Sequence, residues 1–457
     1  MKVNKIKLLK NIEILIILVL TMIICFKENN FYNYNILVII SFNINAFIII
    51  LNILKDQTAF SLNKTFWYFN FFFFFIAPLF QYLSSYNVWN IAISEELYLK
   101  TNTYVMLCYI IYMVSKKFFI NKNFKKHNYN IIDVNNENSN LKIIYSEKIL
   151  ILMLILTFIS FVFLITNISF NGLFVREINN LSIGDNTISV ILENICRAIP
   201  IYTCVYSIYF YQKKKFGKIF ILIEFIILFM VNFPTSITRY WIGLVYIGIA
   251  LIFNRKFDIC IIIIFSLIFP IFQLFKWYSF LELFTNSNLA NRMFKVYNSV
   301  DFDAYSMFAR TINYVNNNGI QFGHQSLASI FFLIPRALWP LKPYPTGQFI
   351  AMNEGQFYTN LSCPLFAEGF IDYGLFGSLI YTVLICYIIS KFDFSYWNKN
   401  EIKLIDFYYP FLFGILIFLL RGSLQPVIVY SFTFLIFIII LKKICFRKKV
   451  YNENINI

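Results

Sequence analysis

The sequence predicts an all-α polytopic integral membrane protein of about 12 transmembrane helices, with one long outer loop between spans 9 and 10. Three observations predict it. Hydrophobic residues are 59% of the 457 and charged residues only 14%, with mean hydropathy +0.66, whereas a soluble domain carries about a quarter charged residues. Apolar runs long enough to cross a roughly 30 Å hydrocarbon core, about 20 helical residues, recur along the chain. The lysine excess sits in short segments between those runs, so the +16 charge reads as a topology signal and not as affinity for nucleic acid.

Taken in order, the runs lie near 8–26, 34–54, 64–84, 102–120, 146–167, 187–211, 216–235, 237–254, 256–276, 373–391, 404–421 and 424–444, within one polytopic membrane domain, 1–457. The first follows Lys2, Lys5, Lys7 and Lys10 like a signal peptide, but Cys25, Phe26, Lys27 and Glu28 offer no small-x-small cleavage site, so it reads as a retained anchor. With the N-terminus inside, 27 Lys and Arg fall in inner segments against about 10 in outer ones, which places both termini in the cytoplasm. The Asn-rich stretch 122–140, with His127, has little to bury and reads as an inner polar linker. No internal repeat supports an inverted-repeat transporter. Of the eight cysteines only Cys363 lies in an outer loop, so no outer disulfide forms within the chain, and no CxxC spacing suggests a metal.

The two cations are distributed unequally. Inner positive charges are Lys except Arg255 and Arg447, whereas Arg176, Arg197, Arg239, Arg292, Arg310, Arg336 and Arg421 are outer or embedded. A topology charge need only be positive, but bidentate recognition of phosphate or carboxylate favours the rigid guanidinium fork. Arg239 in NFPTSITRYW, Arg421 in LLRGSLQP and Arg336 after LASIFFLIP all fall at headgroup depth by position. There they could meet a lipid-linked diphosphate without the cost of a charge at the bilayer centre. Arg197 lies mid-span, four residues after Glu193, and reads as an i,i+4 ion pair or as a polar cavity lining, with Glu224 embedded on the next helix.

The outer loop, 277–372, has its own organisation. DFDAYSMFARTINYV is helix-like and amphipathic, NNNGIQFGHQS is turn-like, and SLASIFFLIP is too short to cross and reads as an interfacial or re-entrant helix. In PRALWPLKPYPTG, Pro335, Pro340, Pro343 and Pro345 forbid regular helix. They set Arg336 and Lys342 in a stiff frame anchored by Trp339. The loop's acids are Asp301, Asp303, Glu354, Glu368 and Asp372, and its histidine is His324. Any of these could serve as a general base; spacing does not choose among them. No glycine-rich phosphate loop, HExxH, GxSxG or DxD site supports ATP-driven, metalloprotease or serine hydrolase chemistry.

GIQFGHQSLASIFFLIPRALWPLKP, followed by SCPLFAEGFIDYGLFG, resembles the Wzy-type oligosaccharide repeat-unit polymerases of O-antigen and capsule synthesis. FFFFFIAPLFQY, NFPTSITRYW and the position of the long loop resemble that family too, and Arg336 to Gly347 matches once an R-x10-G pattern carried by some of its members. The resemblance implies a GT-C-like, metal-independent glycosyltransferase without cofactor in the bacterial inner membrane. Donor and acceptor would be undecaprenyl-diphosphate-linked oligosaccharides, with the pathway's flippase and chain-length regulator as partners. It also implies roles: Arg336 and Arg239, with Asp303, His324 or Glu368 as base, in catalysis, and Arg310, Lys342, Arg176, Arg421 and Trp339 in binding diphosphate or glycan. An O-antigen ligase shares architecture and donor. A lipid-linked oligosaccharide flippase, a transporter, should have short outer loops and would use Arg197, Glu193 and Glu224.

Overall fold

The computed structural model of the chain describes residues 34–58, 60–130, 141–174, 187–214, 217–234, 236–253, 296–398 and 403–448. Among them the principal helices are α1 (Ile36–Lys55), α2 (Leu62–Leu83), α3 (Glu95–Asn130), α4 (Glu147–Ile168), α5 (Thr187–Lys214), α6 (Lys218–Val231) and α7 (239–253), then α8 (Ala304–Asn318), α9 (His324–Ile330), α10 (Thr346–Asn353), α11 (Leu365–Trp397), α12 (Leu412–Arg421) and α13 (Leu424–Cys445). A single antiparallel ladder joins β1 (Leu141–Ile143) to β2 (Phe446–Lys448).

Six helices, α1, α2, α3 up to Ile120, α4, α11 and α13, are long and apolar enough to cross a membrane. The molecule is an α-helical membrane protein. Four further expected spans coincide with α5, α6, α7 and the segment ending in α12: α5 is a continuous helix of 28 residues that carries Glu193 and Arg197, α6 has only 14 residues, and the other two are interrupted. Pro200 lies inside α5, a π-helical turn at Gly243–Ile247 splits α7, and a 3-10 turn at Tyr409–Phe411 precedes α12. The expected spans 8–26 and 256–276 lie outside the described residues. The inner linker begins later than expected, because α3 runs on to Asn130 with neither Pro nor Gly to stop it.

Two compact units divide the chain: 1–119 with 254–390 and 416–426, and 120–253 with 391–415 and 427–457. In the first, α2 is the central helix. Its apolar window is 100% buried, against 22–39% for the other five candidate spans. Several of its polar side chains are partnered inside the protein, as an interior without water demands. Tyr112 Oη donates to Asn63 Oδ1 at 3.1 Å, Tyr109 Oη to Asn70 Oδ1 at 3.0 Å, and Gln81 Nε2 to the Tyr297 carbonyl at 2.8 Å. Phe66 stacks on Tyr112 at 4.1 Å between ring centres. The amphipathic stretch of the loop is α8, and it belongs to this core: Tyr305 is buried among Phe42, Phe74 and Tyr98 and donates to Asn102 Oδ1 at 2.9 Å.

The segment EGFIDYG forms an elbow. α11 breaks at Tyr373 (φ −140°) and Gly374 (φ 61°, ψ −149°), a conformation kept for glycine. Its two limbs bend back on each other where Gly369 meets Gly377: a Cβ on Gly369 would lie 2.4 Å from the Gly377 carbonyl oxygen. Ser378 Oγ closes the crossing by donating to the Phe366 carbonyl at 2.7 Å. The expected span 373–391 starts at this break, and the residues before it are already helical.

In the second unit α4, α5, α6, α7 and α13 share a core in which Tyr202 lies between Phe434 and Phe437. The Glu193–Arg197 pair is formed, 2.7 Å from Nε to Oε1. The arginine does not end at mid-span, however. Its Nη1 donates to the carbonyl of Val231, the last residue of α6, so it caps that helix terminus, where a cation is favoured. Glu224 accepts from Thr203 at 2.9 Å and from Thr157 at 3.2 Å.

Candidate active site

Within the first unit, the start of α8 and the end of α12 meet through charge. Asp303 precedes α8 and is only 1% exposed. Its Oδ1 accepts from Arg421 Nη2 at 3.2 Å, and its Oδ2 accepts from Trp89 Nε1 at 3.2 Å and from the Ser362 amide at 3.4 Å. Every oxygen of this carboxylate is engaged, so it holds three chain segments together: the loop after α2, the segment before α11 and the end of α12.

About two helical turns further along α8, buried Arg310 forks onto Glu354, its Nε 2.8 Å from Oε2 and its Nη2 bonded to the same oxygen. Its Nη1 reaches Met307 Sδ at 3.2 Å. Glu354 keeps 22% of its side chain exposed, and its Oε1 has no partner among the described residues. A carboxylate oriented through one oxygen by a buried guanidinium, with the other oxygen accessible, is arranged to accept a proton from a bound hydroxyl.

The proline segment is held by its own cations. Lys342, 6% exposed, donates to the carbonyls of Phe332 and Ile334, both at 2.9 Å, and of Phe331 at 3.3 Å. Burial, with Arg336 beside it, holds its ammonium below the ordinary lysine range. Arg336 donates from Nη1 to the Lys342 carbonyl at 2.5 Å and from Nη2 to that of Pro343 at 3.2 Å, and lies over the Tyr344 ring at 4.0 Å. Lys342 is therefore committed to the turn, while Arg336 stays exposed on its outside. SLASIFFLIP is helical only as far as Ile330 and turns from Phe331. It presents Leu327, Ile330, Phe331 and Leu333 to the outside, as an interfacial segment would.

His324 opens α9, half-buried, with its ring 5.9 Å from that of Trp339. Glu368 and Asp372, one turn apart on the first limb of α11, are both buried and committed to helix starts. Glu368 Oε1 accepts from the Leu424 amide at 2.8 Å and Oε2 from Thr346 Oγ1 at 2.7 Å; Asp372 accepts from the amides of Gln325 at 3.1 Å and Ser326 at 2.8 Å. Both carboxylates satisfy amides that a helix start leaves unpaired. The first limb of α11 thus positions α9 and the first residue of α13 together.

Asp303, Arg310 and Arg421 are thus brought into one unit with Arg336, Lys342, Trp339, His324 and Glu368. The side chain of Arg239 and all of Arg176 lie outside the described residues. Sequence reasoning missed Trp89, Tyr358 and Ser362. The only signal for Trp89 is a large aromatic in a short polar turn, SSYNVWNIAIS. No family model matches the chain, and no curated protein or solved structure matches it significantly.

Proposed function

We propose that this protein polymerises undecaprenyl-diphosphate-linked oligosaccharide repeat units into O-antigen or capsular polysaccharide, at the outer face of the bacterial inner membrane. In this reading the chain has about 12 spans and a GT-C-like architecture, with both termini cytoplasmic. A hydroxyl of the incoming unit attacks the anomeric carbon of the growing chain, the bond from that carbon to the diphosphate oxygen breaks, and undecaprenyl diphosphate leaves. Glu354 takes the hydroxyl proton. The exposed guanidinium of Arg336 and the partly exposed one of Arg421 stabilise the charge that develops on the departing diphosphate.

The observation that carries the reading is the Arg310–Glu354 pair beside the Asp303–Arg421 pair. Both are built on α8, a loop helix anchored in the helical core. The reading moves the base from Asp303, His324 and Glu368 to Glu354. The oxygens of Asp303 and Glu368 already have partners, and the ring of His324 packs on Trp339.

Deleting the gene and running the surface polysaccharide on a gel tests it. Polymerase loss leaves single capped repeats; accumulated lipid-linked polymer would mean a ligase instead, and repeat units trapped inside would mean a flippase. Complementation with Glu354→Gln, which keeps a hydrogen-bond acceptor for Arg310, should restore normal protein levels but leave chains capped, since losing a general base costs about 10²–10⁴ in rate. Normal chains from Glu354→Gln would remove Glu354 from the mechanism.

A further inference from the structure

The loop between α2 and α3 holds two successive non-glycine residues in the left-handed region, Trp89 (φ 58°) and Asn90 (φ 57°). Asparagine tolerates this conformation; tryptophan rarely does, and such strain persists only where the surroundings over-determine it. Here they do. The indole N–H is held by buried Asp303, one edge packs against the small core of Met307, Ile350 and Leu361, and the ring lies almost parallel to Tyr358, 5.4 Å between centres and 19° between planes.

A purely space-filling tryptophan would sit among buried neighbours. Tyr358 instead remains 55% exposed, stacked on Trp89 with its other side open. Two further polar atoms at the same carboxylate are buried without a hydrogen-bond partner: Ser362 Oγ and Arg421 Nε. Their own residues already bind Asp303 through the Ser362 amide and Arg421 Nη2. An orphaned buried polar atom is costly in a native fold and points to a ligand or other occupant. The open side of an aromatic pair is electron-rich, so it repels a phosphate but suits the electropositive C–H face of a sugar ring, whose hydroxyls can both donate and accept.

We infer that Trp89 and Tyr358 form a stacking platform for a pyranose ring of the glycan, with Ser362 and Arg421 receiving its hydroxyls. The inference rests on the polymerase reading for which glycan is bound, and it adds a sugar subsite that shares Arg421 with the diphosphate. Trp89 is fixed by Asp303 and supports; Tyr358 makes the contact.

The test uses the full-length protein in lipid nanodiscs and one probe, the oligosaccharide freed by mild acid from the cells' own lipid-linked repeat unit, end-labelled and titrated by fluorescence anisotropy. Tyr358→Leu should weaken binding about tenfold, equivalent to about 1.4 kcal/mol, while Tyr358→Phe stays within about twofold of the wild type. Because Tyr358 is exposed, neither variant should alter thermal unfolding. Equal binding by wild type and Tyr358→Leu, a Tyr358→Phe variant as weak as Tyr358→Leu, or no binding by the wild type at millimolar probe would each overturn the platform. The two readings fail separately. Capped chains in the deletion strain with unchanged binding by Tyr358→Leu would sink the platform alone. Normal chains in that strain, with Tyr358-dependent sugar binding, would sink the polymerase alone.

Discussion

Replacing Gly369 by alanine should loosen the elbow of α11 and lower the stability of the first unit measurably. The added Cβ would lie 2.4 Å from the Gly377 carbonyl oxygen and 2.5 Å from its carbon, both backbone atoms that cannot rotate away. To reach an ordinary contact near 3.4 Å the limbs must part by about 1 Å. That stretches the 2.7 Å bond from Ser378 Oγ to the Phe366 carbonyl beyond hydrogen-bonding range. Overpacking costs about 1–3 kcal/mol and the lost bond about 1 kcal/mol, together about 2–4 kcal/mol. At roughly 2–4 °C per kcal/mol for a unit of this size, the unfolding midpoint should fall by several degrees. The assay is intrinsic fluorescence of the purified protein in nanodiscs, with every variant heated at one rate, because membrane-protein unfolding is often irreversible. Ser378→Ala, which removes the hydrogen bond without the clash, should shift the midpoint less. A Gly369→Ala protein no less stable than Ser378→Ala would refute the steric argument.

Two further outcomes follow from the loop before α11. Lys342→Met keeps most of the side-chain volume but leaves the Phe332 and Ile334 carbonyls without their donor, a loss of about 2–4 kcal/mol; limited chymotrypsin digestion should then cut between Phe331 and Trp339 faster than in the wild type, and an unchanged cleavage rate would argue against Lys342 holding the turn. Cys363 is fully buried, and burial raises its thiol well above the ordinary cysteine range. A variant retaining only this cysteine should therefore resist a membrane-impermeant maleimide until denatured, as read by gel shift, despite its place outside the apolar spans.

Much of the helical frame was legible in the sequence because spanning helices announce themselves by length and apolarity, which are local properties. The Glu193–Arg197 pair was legible for the same reason, being four residues apart on one helix. The turn after Ile330 was not legible, because the first proline of the segment, Pro335, lies five residues further on. What else escaped was long-range. Nothing near Glu368 or Asp372 reveals that the one meets the amide of Leu424 and the other that of Gln325, more than forty residues away in each case. Trp89 and Asp303 are separated by 214 positions. Lys342 looked like a free cation because its partners are backbone carbonyls, which carry no side-chain signature.

The enclosure of α2 also bears on how the chain enters the bilayer. This is the least apolar of the six candidate spans, mean hydropathy 1.3, and it carries Asn63, Lys64 and Asn70 on a helix that in the finished protein touches no lipid. On its own in hydrocarbon it would leave those groups unsatisfied. The hydroxyls that relieve Asn63 and Asn70 belong to Tyr112 and Tyr109 on α3, which is synthesised later. The insertion machinery should therefore retain α2 until α3 has emerged and release the two as a hairpin, which makes Tyr109 and Tyr112 determinants of biogenesis as well as of packing.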